Sequence, residues 1–222
     1  MRINHPSGRF NLPLGYIYIS REEAPRVRVA RRVPKVVRYS WGPLAINWRI
    51  KDALELNDKR YAVLTLHRPS NVDNPLTFGR ILDALEKISE QLPVVFPVHP
   101  RTRKTLTQHC LDERVAQIEG LRLIDPLGYL DFLSLYSGAR LVLTDSGGIQ
   151  EETSVLGIPC LTLRENTERP ITVTMGTNKI VGTDVDKIVA AACAALAETA
   201  KPAIEIPLWD GHTAERILDA LS

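Results

Sequence analysis

The sequence predicts an α/β fold, a doubly wound parallel sheet with Rossmann-like winding. Three observations carry this reading. Short apolar runs recur between residues 61 and 181. Helical stretches separate them. The runs are apolar throughout rather than alternating, as in strands buried on both faces.

Tyr61 to Leu66 is the first strand. Pro75 opens a helix with Phe78, Ile81, Leu82, Leu85 and Ile88 on one face at 3.6-residue spacing. Pro93 to Val98 is the second strand, followed by a polar, basic helix from about Arg101. Leu121 to Ile124 is the third, and Tyr129 to Tyr136 a short helix. Arg140 to Thr144 is the fourth; the helix Gly147 to Leu156 follows and ends at Gly157. Pro159 to Leu163 and Lys179 to Val181 are the fifth and sixth strands. Val185, Ile188, Val189, Ala192 and Leu196 stripe another helix, and Ala214, Ile217, Leu218 and Leu221 a terminal one.

The first fifty residues read differently. Pro6, Pro13, Pro25, Pro34 and Pro43 leave no room for a helix of normal length. The formal charge of +2 hides a split. Residues 1–50 carry ten Lys/Arg against two Glu, and residues 51–222 carry eighteen against twenty-four Asp/Glu. The expected organisation is therefore a basic, Pro-rich segment 1–50 before one domain, 51–222. The basic segment lacks a nucleic-acid motif and interleaved aromatics, so no nucleic-acid partner is expected. No apolar run is long enough to span a bilayer, and Met-Arg-Ile-Asn-His-Pro lacks an apolar signal region. Cys110, Cys160 and Cys193 are odd in number and far apart, against a disulfide framework or a zinc site. A reducing cytoplasm fits them.

In a doubly wound sheet, ligands bind beyond the carboxyl ends of the strands. The strongest feature there is Thr144-Asp145-Ser146-Gly147-Gly148-Ile149-Gln150-Glu151-Glu152, after a buried strand and opening a helix. Ser146 reads as the N-cap, and Gly147 and Gly148 let backbone approach a ligand. Helix amides and the helix dipole suit a phosphate. Glu152 is placed to accept from ribose hydroxyls. The alternative is simply a capped helix after a tight turn. Arg164-Glu165-Asn166-Thr167-Glu168-Arg169-Pro170 follows the fifth strand, either as a diphosphate clamp or as a solvated loop with weak surface pairs. His67-Arg68 ends the first strand, and His99 the second, each able to meet phosphate or move a proton. His109, His212 and the cysteines read as structural.

Several of these motifs together resemble the non-hydrolysing UDP-N-acetylglucosamine 2-epimerases. They are Thr65 to Asn74, Pro97 to Thr102, Leu127 to Leu130, Leu143 to Glu152, Arg164 to Pro170 and Val181 to Asp184. The resemblance runs from about residue 52 to the C-terminus. It implies the C-terminal, UDP-holding half of a glycosyltransferase-B-type fold, with the N-terminal half missing. Carried over, Ser146, Gly147 and Gly148 correspond to diphosphate contacts, and Glu152 to the ribose ligand. Arg169 corresponds to a further UDP contact, Phe132 to an aromatic position at the uracil end, and His67 to a histidine near the diphosphate and reacting sugar. Arg68 and, more weakly, His99 join the binding set.

The implied reaction eliminates UDP to leave 2-acetamidoglucal, then adds it back to invert C2. No metal or other cofactor is implied. Implied partners are UDP-N-acetylglucosamine or UDP, a separate N-terminal-half polypeptide, and a second copy, since the full-length family is dimeric. The carboxylates that move the C2 proton belong to the missing half. Glu22 and Glu23, the acids of residues 1–50, are not assigned that role. Many members have His-Arg-Arg-Glu-Asn where this chain has His67-Arg68-Pro69-Ser70-Asn71, so binding of a second, regulatory UDP-sugar is not expected. A half of this kind is expected to be inactive alone. The other readings are a self-sufficient UDP-sugar-binding module and half of a glycosyltransferase-B glycosyltransferase.

Overall fold

The computed structural model describes residues 49–58, 60–198 and 205–221. The reading of residues 1–48 as basic, Pro-rich chain lies outside the described residues. The chain divides into two units, and Ile46–Pro207 carries the sheet. Leu208–Ser222 belongs to the other unit, with α10 (Thr213–Leu221) its described helix. That helix forms where the terminal apolar stripe predicts one.

The sheet unit opens with α1 (Arg49–Ala53) and β1 (Ala62–Thr65). Next come α2 (Pro69–Val72), α3 (Pro75–Ser89), β2 (Val94–Pro97), α4 (Pro100–Gln108) and α5 (Asp112–Gln117). β3 (Leu121–Ile124), α6 (Tyr129–Ser137), β4 (Leu141–Thr144) and α7 (Gly147–Leu156) follow. The unit ends with β5 (Cys160–Thr162), α8 (Pro170–Thr174), β6 (Asn178–Ile180) and α9 (Val185–Ala197). The six strands run in the order β3-β2-β1-β4-β5-β6, every neighbouring pair parallel. The winding reverses between β1 and β4, where Leu64 pairs with Leu143 and Thr65 with Thr144. This is the switch point at which doubly wound sheets form their ligand crevice.

The uniformly apolar strands are explained by two cores, one on each face. Ala62, Leu64, Phe96, Leu141, Leu143 and Leu161 point to one face, against Phe78, Ile81, Leu82 and Leu85 of α3 and Ile188 and Ala192 of α9. Tyr61, Val63, Val95 and Val142 point to the other, against Leu135 and Tyr136 of α6 and Ile149 of α7. Each buried large side chain contributes about 1.5–3 kcal/mol relative to exposure.

Helix ends follow local chemistry. Pro69, Pro75, Pro100 and Pro170 each occupy the first turn of a helix, where the missing N–H costs nothing. Asn74 Oδ1 accepts from the amides of Leu76 and Thr77 at 2.9 and 3.2 Å, which starts α3. Gly157 ends α7 in the left-handed conformation, φ 67°, as its position predicts. The short helices α1, α2, α5 and α8 were not expected, because four to six residues are too few to display a 3.6-residue period.

Candidate active site at the switch point

Asp145 organises the crevice. It follows β4 directly and its side chain has no solvent exposure. Its two oxygens accept from the amide of His67 at 3.2 and 3.1 Å. They also accept from the amide of Arg68 at 2.9 Å and from Asn71 Nδ2 at 3.3 Å. Asn71 Nδ2 reaches the carbonyl of Leu163 at 2.9 Å as well. One carboxylate and one amide therefore hold the chain leaving β1, β4 and β5 together. His67 Nδ1 lies 2.9 Å from Asp145 Oδ1, with about a third of the imidazole still exposed.

Beside this seam α7 begins. Ser146 sits at the N-cap with extended backbone, but its side chain makes no capping bond. The expectation of a capping hydroxyl is corrected here: Thr144 closes the turn instead, its Oγ1 accepting from the Ser146 amide at 2.9 Å. The N-cap side chain takes none of the first amides of α7, whose N–H groups suit a ligand. A Cβ on Gly148 would meet nothing within 4 Å, so that residue faces open space.

One turn on, Glu152 is buried at 7% exposure. Tyr129 Oη donates to Oε1 at 3.2 Å, and Tyr136 Oη donates to Oε2. Burial raises the Glu152 carboxyl above its ordinary range, and the two tyrosine hydrogen bonds oppose that rise. Phe132 packs edge-on against Tyr136 with ring centroids 5.1 Å apart. α6 thus couples Phe132 to Glu152 through Tyr136.

The loop after β5 supplies cations. Arg164 grips Glu168 with both terminal guanidinium nitrogens, each contact 2.8 Å. Arg68 approaches the same carboxylate at 3.6 Å. Arg169 Nε pairs with Glu151 of α7 at 2.8 Å. A cavity of about 350 Å³ lies between the β1 and β5 loops, lined by Arg68, Asn71, Thr77, Arg164, Asn166 and Thr183 among others. His67, Arg68, Ser146, Gly147 and Gly148 therefore lie on the joined β1 and β4 loops, and Arg164 and Glu168 bring in the β5 loop.

His99 has a structural task as well. It is the N-cap of α4, its Nδ1 accepting from the Arg101 amide at 3.2 Å. His109 Nε2 lies 3.1 Å from the Asp73 carbonyl, and His212 pairs with Glu215 at 2.5 Å. Among the described residues, no three metal-ligating side chains gather into a cluster.

A family model described as UDP-N-acetylglucosamine 2-epimerase matches residues 43–222. The chain belongs to this family. A UDP-N-acetylglucosamine 2-epimerase of Methanocaldococcus jannaschii is 41% identical over 167 residues, which covers 74% of this chain and 45% of the relative. A Pseudomonas aeruginosa UDP-2,3-diacetamido-2,3-dideoxy-D-glucuronate 2-epimerase is also 41% identical, over 140 residues covering 63% and 38%. Among solved structures, the M. jannaschii enzyme in complex with UDP-GlcNAc and UDP superposes with a TM-score of 0.69 at 38% identity. It covers 79% of this chain and 48% of that one. The chain spans somewhat under half the length of the relatives it matches.

For this epimerase-family half, Asp145, Asn71, Tyr129 and Tyr136 are the residues that sequence reasoning missed. Asp145 and Asn71 stand inside motifs that were recognised, but their work is done by hydrogen bonds between strands far apart in sequence. The available signal was position: an aspartate directly after an apolar strand, facing the crevice.

Proposed function

We propose that this chain is the UDP-holding half of a UDP-sugar 2-epimerase that interconverts UDP-N-acetylglucosamine and UDP-N-acetylmannosamine. The observation that carries the reading is the uncapped start of α7. There Gly148 faces open space and Gly147 adjoins Glu168 of the arginine-bearing β5 loop, next to the Asp145 seam that holds His67, at the switch point of the sheet. Ser146, Gly147 and Gly148 receive the diphosphate. Arg169 and Arg68 add positive charge, Glu152 binds the ribose and Phe132 borders the uracil. His67 is the catalytic group of this half, facing the diphosphate and the reacting sugar. His99, at the end of β2, joins the binding set.

In the forward direction the C1–O bond breaks with its electron pair on UDP, and the C2 proton passes to a base of the other half. This half stabilises the charge that develops on the departing diphosphate, through helix amides, arginine and histidine. Return of UDP to the face of C1 that it left, with delivery of a proton to the opposite face of C2, completes the inversion. UDP and an N-acetylated C2 are the part of this substrate shared by relatives of equal identity whose sugars otherwise differ. The reading places the chain in the cytoplasm, in supply of cell-surface polysaccharide synthesis. Its partners are an N-terminal-half polypeptide and a second copy, with dimerisation as in the full-length family.

The test is a calorimetric titration with UDP, followed by incubation with UDP-N-acetylglucosamine in deuterated water. UDP binds, Ser146→Ala and Arg169→Ala each weaken it about tenfold, and no deuterium appears at C2. Exchange at C2 by the chain alone overturns the half-enzyme reading. Absence of UDP binding overturns the site.

A further inference from the structure

The site proposed above sets an imidazole in front of a diphosphate, and the chain has built a buried carboxylate behind that imidazole. Asp145 is held from several directions by donors: two backbone amides, the Asn71 amide and the ring itself. An ionised carboxylate only accepts hydrogen bonds, so the facing ring nitrogen must donate. With Nδ1–H committed inward, Nε2 is the atom left to face a ligand, as an acceptor in the neutral ring and a donor in the protonated one.

We infer that Asp145 is the positioning residue of this site, fixing the tautomer and direction of His67 so that its Nε2 takes up a proton and donates it as a hydrogen bond to an arriving diphosphate. The inference rests on the reading that the crevice binds a UDP-sugar. The neighbouring charges among the described residues are Arg68 on the same loop and, on the β5 loop, Arg164, which acts electrostatically on Asp145, and Glu168. The last two satisfy each other through two 2.8 Å contacts. Asp145 is the carboxylate in contact with the ring. Asn71 supports it by pinning Oδ2 to the Leu163 carbonyl side of the crevice.

Asparagine at 145 gives a distinct chemical outcome. Its oxygen stays where the Arg68 amide and Asn71 converge, and its NH₂ then faces Nδ1. The ring must accept there, and so carries its proton on Nε2 while neutral. The diphosphate still finds a donor but no longer draws a proton from solvent.

The experiment is calorimetry of UDP-N-acetylglucosamine, whose diphosphate diester has no proton titrating near neutrality. It is run from about pH 7 to about pH 9 in buffers of different ionisation heat. The wild-type chain takes up protons on binding, and its affinity falls as pH rises, by at most about tenfold per pH unit. Asp145→Asn takes up none and its affinity is flat across the range. Equal proton uptake by both, or none by wild type, overturns the assignment of Asp145. No binding by wild type at any pH overturns the UDP-sugar reading instead. Nitrogen NMR of the wild-type imidazoles, with the His67 signal identified by its loss in His67→Gln, needs no variant at 145. It shows a protonated Nδ1 and bare Nε2 in the neutral ring of the free chain, and the reverse tautomer overturns the inference.

Discussion

Asp145 and Glu168 are both carboxylates bound to the loop that follows β1, yet they do different work. Asp145 lies at the β1–β4 seam, wholly buried, and its partners are mainly backbone amides. Glu168 lies on the β5 loop, half exposed, and its partners are the side chains of Arg164 and Arg68. A buried acceptor of several amides fixes the course of the chain, because leaving those donors unpaired is costly. An exposed carboxylate between two arginines fixes little, since water and salt replace it cheaply. The seam is therefore the rigid part of the site and the β5 loop its adjustable part.

The comparison breaks most decisively at the seam. Asp145→Ala strands the amides of His67 and Arg68 and the Asn71 side chain. A loss of about 3 kcal/mol or more follows in urea unfolding. A loss below about 1 kcal/mol would show that water serves the seam as well as the carboxylate does.

Glu152 gives the second test, on the α6–α7 side. Its carboxyl is raised by burial, so the folded chain holds that proton more tightly than the unfolded chain. Its contribution is favourable below the ordinary carboxylate range and is lost as pH rises through the raised value. Glu152→Gln removes this dependence and gains stability relative to wild type between acid and neutral pH. The same substitution weakens UDP binding by about tenfold, the worth of one hydrogen bond to a charged group. Thermal unfolding at several pH values and a UDP titration check the two halves of the prediction.

The difference between the two regions also decides what the sequence could show. Strands such as Leu141–Thr144 were legible because burial on both faces leaves an unbroken apolar run, and the helix of Phe78 and Ile81 because burial on one face writes a 3.6-residue period. The α7 N-terminus was legible because glycine after a strand has few other uses. The role of Asp145 was not, since its partners lie 74 to 78 positions away in the chain. Ser146 was misread as a capping side chain because that preference is local, and a neighbouring side chain, Thr144, had already taken the turn. Tyr136 was read only as the end of a short helix; it is core, and its hydroxyl also reaches Glu152.

The smallest expected effect belongs to the β5 loop. The Arg164 hydrogen bonds, with Arg68 nearby, hold the Glu168 carboxyl down at about 2. A lowered carboxyl adds stability above its ordinary value of 4.5, and the gain is lost as pH falls from there towards 2. Screening at a half-exposed site keeps that gain under about 1 kcal/mol. Glu168→Gln should therefore cost little at pH 7, and its difference from wild type should vanish in acid. Its effect on ligand is the sharper readout. Glu168 Oε2 stands 3.7 Å from where a Cβ of Gly147 would lie, so the carboxylate sits beside the start of α7. Removing its charge frees Arg164 and Arg68 and removes a like charge from the diphosphate's neighbourhood. UDP binding should tighten, by a few-fold, and most at low salt. If UDP binds more weakly to Glu168→Gln, the carboxylate aligns the arginines for the ligand, and the β5 loop is as much a fixed part of the site as the seam.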